Sequence, residues 1–349
     1  MKLSTIGREL RDSADGDHAT TVGLSSWGLQ VEAVVKLAER ILAGDQRAIA
    51  RGISIVESES ADAAVLVSQL FSRAGKARVV GVTGAPGVGK STLVDALATE
   101  WRREGFGVGI IAVDPTSPFS GGAILGDRIR MQAHAGDAGV YVRSMATRGH
   151  LGGLSHATGD AIVILDASGK DVVLIETVGV GQGEIEIART ADTSNVVTVP
   201  GTGDDIQALK AGIMEIGDIF VVNKSDRDGA DRAVADIQGM LALKAHEDVD
   251  WHPPILKTQA TIGYNVTELL ETVRRLEAKR GHSVERRRER LRSRLYEILR
   301  RRFSEHLESR TELVLAVDGA VEKMLESDLD PYTAAEEILA QVLHESRDS

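Results

Sequence analysis

Between residues 78 and 258 the chain alternates short, unbroken apolar runs with stretches of helical or glycine-rich character. The runs are Arg78 to Thr83, Val108 to Asp114, Asp171 to Thr177, Asn195 to Pro200, Ile219 to Asn223 and Ile255 to Thr258. Continuous Val/Ile-rich runs mark strands covered on both faces, so a mostly parallel sheet between helices is predicted. Ahead of it, Val34, Val35, Ala38, Ile41 and Leu42 recur at helical spacing from Val31 onward, and Ala63, Leu66, Val67, Leu70 and Phe71 mark a second amphipathic helix. After about residue 265 no strand pattern recurs, and the chain is charged and helical to its end. The polar stretch 1–28, rich in Ser, Asp, Gly and Thr, predicts a loosely ordered lead. The expected division is a flexible stretch 1–28, a helical extension 29–75, a nucleotide-binding core 76–268 and a carboxyl-terminal helical region 269–349.

Composition narrows the function classes. At 349 residues, with 42% hydrophobic and 27% charged residues, the chain can bury a sizeable core and is not a disordered or collagen-like sequence. The absence of cysteine excludes a disulfide framework and any thiolate metal or redox site. Only 3% of residues are aromatic, which argues against stacking platforms for single-stranded nucleic acid. The amino-terminal stretch lacks an apolar signal core, and no 18 apolar residues run together, so a cytoplasmic protein with no membrane partner is expected.

The net charge of −11 hides an asymmetry. From Arg274 to Arg302 thirteen basic residues face four acidic ones, a local charge of +9 that leaves −20 on the rest. Such a helix could bind nucleic acid or dock on an acidic surface. Within it Leu291, Leu295, Ile298, Leu299 and Phe303 recur at helical spacing, which favours a packed helix with one solvated face and no nucleic-acid partner.

The strongest chemical signal directly follows the first strand. Gly84-Ala85-Pro86-Gly87-Val88-Gly89-Lys90-Ser91 fits G-x-x-x-x-G-K-[ST], and a helix runs on from Thr92. The glycines let backbone N–H groups curl around phosphates, and the helix adds its positive end. Lys90 is expected to bridge the β- and γ-phosphates and the Ser91 hydroxyl to ligate Mg²⁺, with Thr92 completing the phosphate-binding set.

A later strand leads into Asn223-Lys224-Ser225-Asp226, the N-K-x-D pattern. A carboxylate there accepts two hydrogen bonds, from guanine N1–H and the 2-amino group, whereas adenine offers neither donor. Leaving that carboxylate unpaired is costly, so GTP and GDP are favoured over ATP. Lys224 would lie along the base and ribose, Asn223 would brace the loop, and Thr258-Gln259-Ala260 could cap the base with backbone N–H groups. The strand Val172 to Ile175 ends in Glu176-Thr177-Val178-Gly179-Val180-Gly181-Gln182. In a GTPase an acid at this place holds the Mg²⁺ shell and a glycine N–H, here Gly179, reaches the γ-phosphate. Val180 stands where Ras-type enzymes place their water-orienting glutamine, and Gln182 is not assumed to replace it. Asp114 and Asp127 are further candidate carboxylates for the metal shell; each alone reads more readily as a turn or cap aspartate, with the strand-tip place of Asp114 favouring it and Asp127 resting more on the resemblance below.

With these motifs assembled, the chain resembles the MeaB/MMAA/ArgK group of P-loop GTPases. The likeness runs through Val113 to Pro118, Gly126 to Met131, Pro200 to Gly212 and Asp330 to Ala335, and extends from about residue 30 to the carboxyl terminus. The resemblance implies a G-domain-like core with an amino-terminal helical extension and a carboxyl-terminal helical arm that makes a homodimer. It implies a metal environment of Ser91, Asp114, Asp127 and Glu176, and a further switch from Asp204 to Lys210. In that switch Lys210 would support hydrolysis by offsetting charge at the γ-phosphate; its alternative is a solvated helix lysine. It also implies a slow, partner-stimulated GTPase that chaperones an adenosylcobalamin-dependent acyl-CoA mutase, with adenosylcobalamin met only through that mutase and a cobalamin adenosyltransferase as a further partner. The Gly-rich segments 119–136, 179–183 and 200–205 would be the moving parts. Three other readings share the phosphate loop. A nickel-delivery GTPase is opposed by the lack of Cys and the scatter of the nine His residues. A kinase is opposed by Asn223 to Asp226. A regulatory module with little hydrolysis would be separated by measuring phosphate release.

Overall fold

The structure, a computed structural model, describes residues 32–58, 60–114, 134, 136–146, 156–177, 187, 190–201, 217–244, 252–280 and 284–345. The chain forms two compact units, one ending at Ser283 and one beginning at Val284.

In the first unit, a helix over 32–42 (α1) is followed by α2 (Gln46–Glu57) and α3 (Ala61–Phe71). Asp45 starts α2 by accepting from the amides of Arg47 and Ala48 at 2.9 and 3.1 Å, a side-chain cap for otherwise unpartnered donors. Next come β1 (Arg78–Thr83), α4 (Lys90–Arg103), β2 (Val108–Asp114), β3 (Val140–Ala146) and α5 (His156–Ala167). The unit continues with β4 (Val172–Thr177), β5 (Thr193–Thr198), β6 (Ile219–Val222), α6 (Ala230–Lys244), β7 (Ile255–Lys257) and α7 (Val266–Arg280).

The strands form one sheet in the order β3-β2-β4-β1-β5-β6-β7, every pair parallel. Strand alternation sorts the core. Val79, Ile111, Val173 and Ile175 face α1, α2, α3 and α5 through Ile41, Ile53, Leu66 and Ile164. Val80, Val82, Ile110 and Leu174 face α4 and α7 through Leu93, Leu97, Trp101, Leu269 and Val273. Farther along the sheet, α6 covers Val196, Phe220 and Val222 with Ala233 and Ile237.

Six of the seven strands coincide with the apolar runs. The seventh, β3, pairs with β2 alone and carries half-buried Arg143 and Ser144, which interrupt its apolar pattern. Edge strands need only one fully covered face.

The second unit consists of α8 (Val284–Ser309), α9 (Thr311–Leu325) and α10 (Pro331–Glu345), with α9 packed against both others. Asp330 precedes Pro331 and accepts from the amides of Tyr332 and Thr333 at 2.9 and 3.1 Å, which sets the start of α10. Leu313, Ala320 and Ala334 are buried, but Leu295, Leu299, Leu315 and Leu325 are each more than half exposed. Among the described residues, no helix is long and apolar enough to cross a membrane.

Candidate functional site

All strands run the same way, so their carboxyl ends share one edge of the sheet. β1 is central there, between β4 and β5, and the order of the sheet places later strands on both of its sides. A crevice beyond the strand ends at such a point is where open α/β sheets bind ligands.

The segment leaving β1 is shaped by three glycines in the left-handed half of conformational space: Gly84 (φ +139°), Gly87 (φ +80°) and Gly89 (φ +94°). A Cβ on Gly84 would stand 2.1 Å from the Val197 carbonyl oxygen, so the loop presses on β5 and requires glycine there. Gly89 leads into α4 with no side-chain cap. The first amides of α4 therefore carry the helix's positive end without a carboxylate or hydroxyl cap, the arrangement that receives phosphate. Lys90 is buried, and its ammonium donates to the carbonyls of Gly84 and Ala85 at 2.8 and 2.9 Å, which holds its charge inside the loop.

Beside the loop, the Ser91 hydroxyl donates to Glu176 Oε1 at 2.6 Å, both residues being buried. A hydroxyl and a carboxylate in contact are hard oxygen donors, and this fits Mg²⁺, which takes one or two carboxylates together with phosphate oxygens and water. Among the described residues no cluster of three or more His, Cys, Asp and Glu forms a metal cage. The neighbouring residue, Thr177, shares a 3.0 Å hydrogen bond with Thr83.

At the other end, Asn223 follows β6 and is buried. Its Nδ2 donates to the Val88 carbonyl at 2.9 Å; its Oδ1 accepts from the Ala260 amide at 3.1 Å and from the Thr258 hydroxyl at 3.2 Å. One side chain thus ties the phosphate loop to the 258–260 segment. Lys224 adopts φ +53° and donates from Nζ to the Gly87 carbonyl at 2.7 Å, a second link between the two motifs. The Ser225 amide donates to the Thr258 carbonyl at 3.0 Å. Asp226 is exposed, and Gln259 pairs through backbone hydrogen bonds with Tyr264 across a tight turn.

The structure therefore brings together Gly84 to Thr92, Glu176, Asn223, Lys224 and Thr258 to Ala260, while Asp226 is exposed in the same loop as Asn223 and Lys224. Asp114 ends β2 on the same sheet edge. Asp127, Gly179, Asp204 and Lys210 lie outside the described residues, as do most of the three Gly-rich segments. The sequence reading assigned no role to the Thr83–Thr177 pair; the only available signal was a threonine at each of two strand ends.

A different electrostatic feature sits at the opposite, amino-terminal edge of the sheet. Arg102 donates through Nε and Nη2 to the Asp137 carboxylate at 2.7 and 2.9 Å and through Nη1 to the Phe106 carbonyl at 2.7 Å. That guanidinium pulls the Asp137 carboxyl from its ordinary value of 3.8 down to about 2. Burial lowers the neighbouring Lys170 ammonium, which donates to the Gly139 carbonyl at 2.9 Å.

A parallel sheet, an uncapped helix behind left-handed glycines and a braced N-K-x-D loop together define a P-loop GTPase. Comparison with known proteins sharpens this: the chain belongs to the MeaB family, whose model, described as methylmalonyl Co-A mutase-associated GTPase MeaB, matches residues 49–312. Among its relatives is a GTPase-named protein of Pyrococcus horikoshii, 48% identical over 90% of this chain and 99% of that one. Another is the mitochondrial methylmalonic aciduria type A homolog of Mus musculus, 31% identical over 93% of this chain and 82% of that one. A crystal structure of an LAO/AO transport system kinase shares the fold with a TM-score of 0.67, over 89% of this chain and 98% of that one, at 24% identity.

Proposed function

We propose that this GTPase is a Mg²⁺-dependent chaperone of an adenosylcobalamin-dependent acyl-CoA mutase, coupling its nucleotide cycle to cofactor loading, protection or reactivation in that partner. The observation that carries the nucleotide assignment is the Asn223 joint, which connects the phosphate loop to the base-reading segments through one buried side chain. The family description and the name of the mouse relative support the mutase as partner.

In the mechanism, the amides of the loop and of the first turn of α4 hold the β- and γ-phosphates. Lys90 exchanges its carbonyl contacts for phosphate oxygens and offsets charge that builds as water attacks the γ-phosphate. Ser91 and Glu176 would hold Mg²⁺, with Asp114 and Asp127 completing its environment, and the ion would supply neutralisation of phosphate charge there. Asp226 accepts from guanine N1–H and the 2-amino group, Lys224 lies along the base, and the 258–260 amides cap it. Gly179 reaches the γ-phosphate. Asp204 and Lys210 belong to a switch that the partner orders, and Lys210 supplies the cation that a glutamine does not. Intrinsic hydrolysis is slow and rises with the mutase bound. The exposed leucines of α8 and α9 support the reading of the carboxyl-terminal helices as a homodimerisation arm.

The test is phosphate release from GTP with and without an acyl-CoA mutase, beside co-purification of the two in a non-hydrolysable GTP analogue. Stimulated release and nucleotide-dependent co-purification are expected. Release unaffected by every acyl-CoA mutase tried would refute the chaperone role.

A further inference from the structure

Among the described residues, three that are not glycine adopt positive φ: Lys224 (+53°), Asn265 (+57°) and Ser327 (+63°). Ser327 follows the end of α9 in the second unit. The other two flank one segment: Lys224 precedes Ser225, whose amide bonds the Thr258 carbonyl, and Asn265 directly follows the turn from Gln259 to Tyr264. Backbone held in this sparsely populated region persists only where surrounding contacts impose it, and it gathers at ligand sites.

β7 is the last strand of the sheet and has a neighbour, β6, on one side only. The Thr258 amide donates to the Val222 carbonyl of β6 at 2.9 Å. The Lys257 carbonyl belongs to the same planar trans peptide unit, so it points the opposite way, off the free edge of the sheet. There the Asn265 side chain meets it, with Nδ2 donating at 2.9 Å. The peptide bond that opens the 258–260 segment is thus gripped from both sides. Gln259 and Tyr264 exchange two backbone hydrogen bonds at 3.2 Å, which closes the turn on itself, so its root at Lys257 sets where the whole turn stands. Asn265 also accepts the Leu269 amide at 3.0 Å and so starts α7. Glycine would serve the left-handed backbone as well. What asparagine adds is the donor.

We infer that Asn265 is a positioning residue for guanine recognition, holding Thr258 to Ala260 where their edge meets the 6-keto oxygen of the base. The inference deepens the proposed reading of this segment as the base cap and rests on it. The keto oxygen is the purine's acceptor, the group that backbone N–H donors can meet. Asp226 reads N1–H and the 2-amino group from a different loop. Releasing the Asn265 contact therefore weakens the reading of the 6-position and spares that of the 2-position.

Two variants of the full chain test this by calorimetric nucleotide binding. N265G keeps the left-handed backbone and removes the donor, whereas N265D keeps the shape and turns an oxygen toward the Lys257 carbonyl. GDP affinity should fall about tenfold in both. 6-Thioguanosine diphosphate carries sulfur, a weaker acceptor, at the 6-position, and inosine diphosphate lacks only the 2-amino group. The preference for GDP over the thio analogue should shrink about threefold in both variants, while the preference over inosine diphosphate stays within about twofold of its original value. A residue that merely stabilised the fold would lower all three affinities by one factor and leave both preferences alone. That result, equal shrinkage of both preferences, or unchanged GDP affinity would each overturn the inference. An unaltered chain that binds GDP and the thio analogue equally well would instead remove the base-capping role of the 258–260 segment, and the role of Asn265 with it.

Discussion

Asn223 donates to the carbonyl of Val88 across 135 positions of sequence, at 2.9 Å and out of contact with solvent. The same side chain accepts two further hydrogen bonds, so Asn223→Ala strands a carbonyl, an amide and a hydroxyl. At about 1–3 kcal/mol for each buried group left unmatched, the folded state should lose about 3 kcal/mol after relaxation. Guanine-nucleotide affinity should fall about 100-fold, because the loop and the base-reading segment would no longer share a strut. Denaturant unfolding and calorimetric GDP titration measure the two effects, and a variant with normal affinity would remove Asn223 from the site.

Glu176→Gln keeps the shape and an oxygen for Ser91 but deletes the negative charge. The Mg²⁺ concentration needed for half-maximal hydrolysis should rise about tenfold, while metal-free GDP binding stays unchanged. Activity titrated with Mg²⁺ decides it; an unshifted midpoint would take Glu176 out of the metal's surroundings.

Two glycines of the loop should respond differently to alanine. At Gly84 the added Cβ collides with the Val197 oxygen, and the backbone is left-handed as well. Gly84→Ala should cost about 3 kcal/mol or more. At Gly87 nothing lies within 4 Å of the added atom, so only the φ of +80° resists, at about 1 kcal/mol. Thermal unfolding of both variants, side by side, tests the ranking.

The Arg102–Asp137 pair makes stability depend on acid. Asp137 has a folded value near 2, below its unfolded 3.8, so its contribution is complete above pH 4. It fades as pH falls toward 2. Because the pair is partly solvated, the contribution is on the order of 1 kcal/mol. Urea midpoints at pH 5 and pH 2.5 should therefore differ less for Asp137→Asn than for the unaltered chain, and identical differences would mean the pair contributes nothing.

What could be read from the chain followed from how local each feature is. β1, β2 and β4 are covered on both faces, so their central residues form unbroken apolar runs. β3 escaped because Arg143 and Ser144 interrupt its apolar pattern. The helix α2 also escaped: Gly52 stands at its middle, where propensity argues against a helix. A Cβ there would lie 2.8 Å from Ile41, and close packing of α1 on α2 is what that glycine provides. The phosphate loop was legible because its chemistry needs contiguous residues. The Thr83–Thr177 bond spans 94 positions and uses a residue type common in any strand, so only the folded sheet brings it into view.

The Asn223 joint also dictates when this protein becomes competent during its own synthesis. Gly84 leaves the ribosome early, yet the strut it depends on is incomplete until Ala260 has emerged. At translation speeds of roughly 5–20 residues per second, the nascent phosphate loop waits on the order of ten to thirty seconds for that partner. A polypeptide cut short before Thr258 carries the whole G-x-x-x-x-G-K-S signature but lacks the two partners, the Thr258 hydroxyl and the Ala260 amide, that complete this strut.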